Sequence, residues 1–223
     1  MPSREQTKAE QEETRRRLLA AEAALLLLLL RATRRSPASG DLRSDADALH
    51  VKLAEAYLYG RASAAYAGSD RARAEILALA GTGYVAGQPA LELLEEARRA
   101  KRAADGYVKR WLDKALGLAR DGAELPGPAA HEALAPVLET GAATEAAEAF
   151  NAARREIVDD AVRRTPALAQ QLEQVWDAEL DKRTCDTCSG LDGTTAPLGE
   201  RFPDGDPPLH PRCRCSISVQ PRG

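Results

Sequence analysis

Between residues 4 and 33 a charged lead gives way to an unbroken apolar run and then to a basic end, and the leucines Leu25 to Leu30 are apolar on every side of a helix. A helix that is greasy all round must bury itself in a core or a partner, and contact with neighbouring subunits is the simplest expectation. Pro37 and Gly40 break the pattern in residues 36–41. Ser44 or Asp45 then caps a second helix through Leu49, Leu53 and Tyr57. A further short helix is predicted over residues 69–80. Gly81, Gly83 and Gly87 punctuate the chain before Pro89, which suits the first turn of a long amphipathic helix over residues 89–120.

The stretch 121–128, DGAELPGP, carries two Gly and two Pro and neither continues a helix nor pairs in a sheet. It predicts a boundary near residue 125, dividing an Ala/Leu-rich helical region (1–125) from a C-terminal module (126–223). Helices are expected to resume over residues 129–138, 142–164 and 166–180, with Thr165 capping and Pro166 opening the last. Past Asp181 the composition changes: Ala and Leu thin out, and Gly, Pro, Asp, Thr and Cys take over. The fold class that follows is mainly α, closed by a small metal-stapled α+β unit at residues 181–219.

Composition removes several alternatives. The chain has 223 residues, and 31 Lys and Arg against 34 Asp and Glu leave a net charge of -3, so no overall basic excess points to a nucleic-acid partner. Aromatics are only 4% against 44% apolar residues, which argues against an all-β fold or an aromatic-lined barrel. The apolar run is far short of the ~20 residues a spanning helix needs, so no stable membrane association is expected. Nor does it read as a signal peptide, because acidic residues precede it and no small-residue cleavage site follows. The expected location is the cytoplasm in which the chain is made.

All four cysteines, Cys185, Cys188, Cys213 and Cys215, lie near the C-terminus. A reducing cytoplasm argues against structural disulfides, so metal ligation is the default. TCDTC (184–188) has the knuckle spacing that brings two thiolates to one ion, and LHPRCRC (209–215) adds His210, Cys213 and Cys215. Five donors therefore compete for four tetrahedral places: three sulfurs and His210, or four sulfurs with His210 beside them. A strand through CRCSISV puts Cys213, Cys215, Ile217 and Val219 on one face. Thiolate-rich tetrahedral sites select Zn2+ or an iron–sulfur cluster, and Zn2+ is the preferred ion because a cluster usually comes with redox partners unseen here. So short a segment with few large apolar side chains needs a metal or crosslink to hold a core. Filled positions make the ion structural, with no open site for a water nucleophile.

Other residues read as supports. Trp176 is expected to pack the last long helix onto the metal unit with its indole N–H bonded. Arg183 and Arg214 flank the donors and can offset thiolate charge. Asp192 with Gly193, and Asp204 and Asp206, sit in turn-forming Gly and Pro contexts rather than in a carboxylate metal site. His50 and His131 stand apart from any Cys, Ser or paired carboxylate and are given no catalytic role. Arg98, Arg99, Lys101, Arg102, Lys109, Arg110 and Lys114 make a local basic face on the 89–120 helix, either a solvated face or a contact for packaged DNA or an acidic portal surface.

The run WDAELDKRTCDTCSGLDG from Trp176, followed by Phe202, Pro207-Pro208 and LHPRCRC, resembles the C-terminal module of tailed-phage minor head proteins typified by the F protein of phage Mu. TEAAEAFNAARRE (144–156) resembles the helix preceding that motif in the same family. The resemblance implies a virion component made in few copies, oligomeric in the particle, lying in the virion interior after assembly in the host cytoplasm. Its implied partners are the portal protein and capsid or scaffold proteins, its role head assembly and DNA packaging or ejection, and no enzymatic activity is implied. Two alternatives remain. An HNH-type nuclease would need a second His or Asn to activate water near the metal unit. A zinc-containing nucleic-acid-binding protein sits poorly with the balanced charge of residues 181–223.

Overall fold

A computed structural model describes residues 4–34, 41–80, 93–180 and 184–223. The first helix, α1 (Arg4–Arg34), buries Leu18, Leu25 and Leu29 within the chain's own core and leaves Leu27 exposed. The leucine run therefore needs no neighbouring subunit to cover it.

Helix α2 (Leu42–Ala80) is continuous over 39 residues, a length of about 58 Å at ~1.5 Å per residue. The short helix expected at residues 69–80 is the last third of α2, and Ser69 is buried inside it. Gly60 and Gly68 are crossing points of this helix. A Cβ at Gly60 would collide with the Leu25 side chain, and one at Gly68 with the Phe150 carbonyl. Close approach of α1 and of α5 (Ala135–Arg164) to α2 outweighs the roughly 1 kcal/mol that glycine costs in a helix.

Helix α3 (Leu93–Arg120) buries Ala100, Ala104, Tyr107, Trp111 and Ala115 at helical spacing. The breaks expected at residues 36–40, the glycines 81, 83 and 87, and the Pro89 start fall outside the described residues. A turn with Gly122 at φ 85° leads into α4 (Pro126–Ala133). The expected division of residues 129–138 from 142–164 instead falls at Leu134, because Pro136 opens α5 and the helix then runs straight through Gly141. One apolar cluster extends from Leu18 to Ala153 and includes Ala130, Leu138 and Phe150, so the core crosses residue 125.

The last long helix expected at residues 166–180 is not a helix. A single turn, α6 (Leu168–Gln171), leads into strand β1 (Leu172–Asp177). β1 is the middle strand of an antiparallel sheet ordered β2-β1-β3, with β2 at Thr195–Pro197 and β3 at Ser216–Pro221. Val175 pairs with Thr195 on one side, and Leu172 to Asp177 pair with Pro221 to Ser216 on the other. Ladder bonds to strands up to forty-nine residues downstream override the local helical preference of this segment. A short helix, α7 (Asp186–Leu191), lies between β1 and β2.

Polar contacts join the helical region to the sheet. The buried Glu75 of α2 accepts from Thr14 Oγ1 at 2.6 Å, from Arg154 Nη2 at 2.5 Å and from the Val219 amide at 3.3 Å, so one carboxylate ties α1, α2, α5 and β3. Arg71 lies 3.1 Å from the same carboxylate, and Arg15 of α1 pairs with buried Asp177 of β1. Replacing Glu75 with Ala removes the carboxylate partner of buried Arg154, while Arg71 keeps Glu10. The expected cost is about 3–5 kcal/mol, read as a lowered urea midpoint, with a smaller loss for Glu75→Gln.

Candidate metal centre

The two halves of the donor set arrive on different supports. Cys185 caps the N-terminus of α7, where its sulfur accepts from the Cys188 amide at 3.4 Å, so one helical turn aims Cys185 and Cys188 the same way. The other half comes from the turn at residues 210–213, closed by the Cys213 amide on the His210 carbonyl at 3.1 Å, and from the irregular segment that leads into β3.

The side chains converge. His210 Nε2 lies 3.2 Å from Cys185 Sγ and 3.1 Å from Cys188 Sγ, and Cys188 Sγ lies 3.7 Å from Cys213 Sγ. Two triplets, Cys185–Cys188–His210 and Cys188–Cys213–Cys215, each have their ligand atoms within 4.8 Å of one another, and Cys188 belongs to both. With sulfur–metal bonds of ~2.3 Å, a tetrahedral site has sulfur–sulfur edges of about 3.8 Å, close to the Cys188–Cys213 separation. The imidazole is set for ligation as well. Nδ1 lies 2.9 Å from the Pro211 carbonyl, to which its N–H can donate, leaving the Nε2 lone pair toward the sulfurs. All four cysteines are free thiols, so the donors fit a metal ion rather than a disulfide.

The thiols share charge unequally. A hydrogen bond from Cys215 brings Cys213 down to about 5, while the same pairing and burial push Cys215 up. Burial pushes Cys188 up to about 12, and the Cys188 amide lowers Cys185. The Pro211 carbonyl raises His210. A pocket that concentrates thiolate character beside buried thiols favours a cation, and a bound divalent ion would deprotonate the raised thiols outright.

Trp176 is fully buried beside this set, meeting Phe202 edge-on at 5.5 Å between centroids. It does so from strand β1, not from a helix, and among the described residues its indole N–H has no hydrogen-bond partner, contrary to expectation. Asp192 Oδ1 accepts from the Ala178 amide at 2.9 Å. Gly193, at φ 76°, donates its N–H to the Trp176 carbonyl at 2.8 Å, so the Leu-Asp-Gly turn is sewn to β1. Asp206 is held by Arg155 and Arg201. Neither it, Asp192 nor Asp204 joins a group of metal-donor side chains among the described residues. Arg214 lines the mouth of the site with Glu179, Thr184 and Arg212; Arg183 lies outside the described residues.

Sequence reasoning passed over the side chains of α5 that face this unit. Asn151 bonds the Cys215 carbonyl and the Ile217 amide, Thr144 accepts from the Arg212 amide, and Arg155 bonds Gln174 and the Glu200 carbonyl. The signal available was a polar residue every seven or four positions in an Ala-rich helix. It also missed that α2 and α3 bring His50 Nε2 within 2.8 Å of Asp105. His131 stacks with Tyr107 and Trp111, and burial lowers it to about 4, so it is neutral and packs as an aromatic.

Since Cys188 belongs to both triplets, Cys188→Ser should abolish metal binding in elemental analysis of purified protein. Chelation of the parent protein should lower its melting temperature by about 10 °C or more.

Residues 130–218 match the family model described as Phage Mu protein F like protein. Comparison with curated proteins and with solved structures gives no match. The matched stretch starts in α4, runs through α5, β1 and β2, ends within β3 and takes in all five donors, so this part of the chain is similar to the phage Mu protein F-like family.

Proposed function

We propose that the chain is a structural minor head protein of a tailed phage or phage-like particle, acting in head assembly near the portal and in DNA packaging or ejection. The observation that carries this reading is the family match over the module that holds the donor set. In it, Zn2+ is the bound ion, because donors that are mostly thiolate at tetrahedral spacing select it. The ion is a staple. Four of the five donors fill its coordination sphere, which leaves no place for a reacting water and supports a structural role over nuclease chemistry.

The stapled unit gives the chain's end a fixed shape for docking on the portal and on capsid or scaffold proteins, with several copies around the vertex. The protein then occupies the virion interior after assembly in the host cytoplasm. Among the described residues no helix is long and apolar enough to cross a membrane. Purified Cys185→Ser/Cys188→Ser protein should lose its zinc, and particles made with it should lack the protein or form in much reduced yield. Normal incorporation of a zinc-free variant would refute the docking mechanism.

A second contact is favoured by the outer face of α3. Arg98, Arg99, Lys101 and Arg102 are drawn to Glu95, Glu96 and Asp105. Lys109, Arg110 and Lys114 are exposed further along the same helix. This reading has them touch packaged DNA. Reversing these three charges should weaken binding to duplex DNA of arbitrary sequence and reduce the dependence of log K on log salt by about 2–3, at ~0.9 per phosphate contact. No binding by the parent protein at low salt would leave α3 as a solvated face.

A further inference from the structure

The segment carrying Cys213 and Cys215 has no secondary structure of its own. Residues 213–215 lie between a turn and the first residue of β3, so no ladder bond fixes either sulfur. Arg212, at φ 64°, adds a left-handed residue just before them, a conformation that a non-glycine residue keeps only when its surroundings hold it. Five donors converge all the same, and something other than the sheet must place this half.

We propose that Asn151 of α5 is the positioning residue for this half of the metal site, acting through the backbone on either side of Ser216. This rests on the reading of the donor set as a zinc site. Asn151 is 2% exposed. Its Nδ2 donates to the Cys215 carbonyl at 3.0 Å and its Oδ1 accepts from the Ile217 amide at 3.3 Å. Those are a carbonyl and an amide two residues apart, the pair that one residue of a neighbouring parallel strand would engage. The side-chain amide thus serves as a single strand residue, extending order from β3 back to Cys215. Its remaining Nδ2 hydrogen returns to the Ala147 carbonyl at 3.0 Å, which locks the amide's orientation. Two turns earlier on α5, Thr144 Oγ1 accepts from the Arg212 amide at 3.0 Å. Residues 212–217 are therefore pinned at three backbone atoms to one helix. The Cys185–Cys188 half touches neither side chain and takes its geometry from α7. The site is built as a preformed half on α5 facing a knuckle that closes onto it.

The test is the zinc dissociation constant of the full chain, by competition with a chromophoric chelator well below the melting temperature. It compares the parent with Asn151→Ala, Thr144→Val and Ile157→Val. Ile157 lies on α5 in the apolar cluster with Val158 and Val219, so its truncation reports general destabilisation of the helix–sheet contact. Loss of an outer hydrogen-bond partner of a metal site costs about 10- to 100-fold in affinity. Asn151→Ala should weaken zinc binding in that range, Thr144→Val by a smaller factor, and Ile157→Val by less than twofold despite a lowered melting temperature. Thr144 is partly exposed, so its variant keeps the test open should Asn151→Ala fold poorly. Equal affinities for Asn151→Ala and Ile157→Val overturn the positioning role while leaving the zinc site standing. If Asn151→Ala does not fold, unchanged affinity in Thr144→Val overturns it as well. A parent protein that binds no zinc removes the zinc reading and this proposal together.

Discussion

The end of the chain has too little apolar mass to fold by burial, and the convergence of sulfur and imidazole on one point is what compensates. Among the described residues, the buried cluster around the donors contains Trp176, Ala178, Ala196, Phe202 and Ile217 besides three of the cysteines themselves, with Leu191, Leu209 and Cys185 packed against it. A structural zinc contributes on the order of 10–16 kcal/mol to small zinc-bound folds, as much as the whole net stability of an ordinary domain, about 5–15 kcal/mol. In the zinc reading proposed above, the few side chains around the donors are minor beside a term of that size, and the geometry of the donor set decides whether the unit has a shape. That is why the support for each donor matters: α7 for two sulfurs, the Pro211 carbonyl for the imidazole, and α5 for the remaining half.

Helix α5 connects this unit to the rest of the molecule through two kinds of contact. One face is apolar: Leu138, Ala142, Ala146, Phe150 and Ala153 belong to the core that α1, α2 and α3 share. The other presents Thr144, Asn151 and Arg155 to the C-terminal segment. Buried Arg154 reaches Glu75, which holds Thr14 and the Val219 amide. The stretch that matches the family is therefore completed by helices that precede it, and a shift of α1 or α2 would reach β3 through one carboxylate. The N-terminal region is part of the module's foundation rather than an appendage to it.

What the sequence disclosed and what it hid divide by range. The five donors were legible because CxxC and HxxCxC are local spacings whose chemistry does not depend on the fold. The helical character of residues 4–34, 93–120 and 135–164 was legible from composition and Pro placement. Strand β1 was not, since ALAQQLEQVWDAEL has the Ala, Leu, Gln and Glu content of a helix and becomes a strand only through partners at Thr195 and Ser216 to Pro221. The part played by Gly60 and Gly68 is likewise set at long range, by Leu25 and Phe150, thirty-five and eighty-two residues away. Asn151, Glu75 and Arg61 look like ordinary polar positions of Ala-rich helices, and only the tertiary structure makes them buried. Arg61, with no exposed side-chain surface, joins Glu96 to Glu145 across three helices.

Trp176 shows how the same shortage shapes the choice of a single residue. Among the described residues its indole N–H is buried without a partner, and an unpaired buried donor costs about 1–3 kcal/mol. A fully buried tryptophan removes roughly 150–250 Å² from water, worth about 4–6 kcal/mol at ~25 cal/mol/Å². The balance favours burial by a few kcal/mol even with the donor unsatisfied. It is more favourable here than in a larger core, because this unit has only Phe202 as another large ring to fill the space against Cys188, Cys213 and Ile217. A smaller side chain would spare the orphaned N–H but leave a void against the donor set, where movement of a few tenths of an ångström changes whether four atoms can meet one ion. The tryptophan thus supplies volume beside the donor set, and that burial outweighs the unpaired indole N–H.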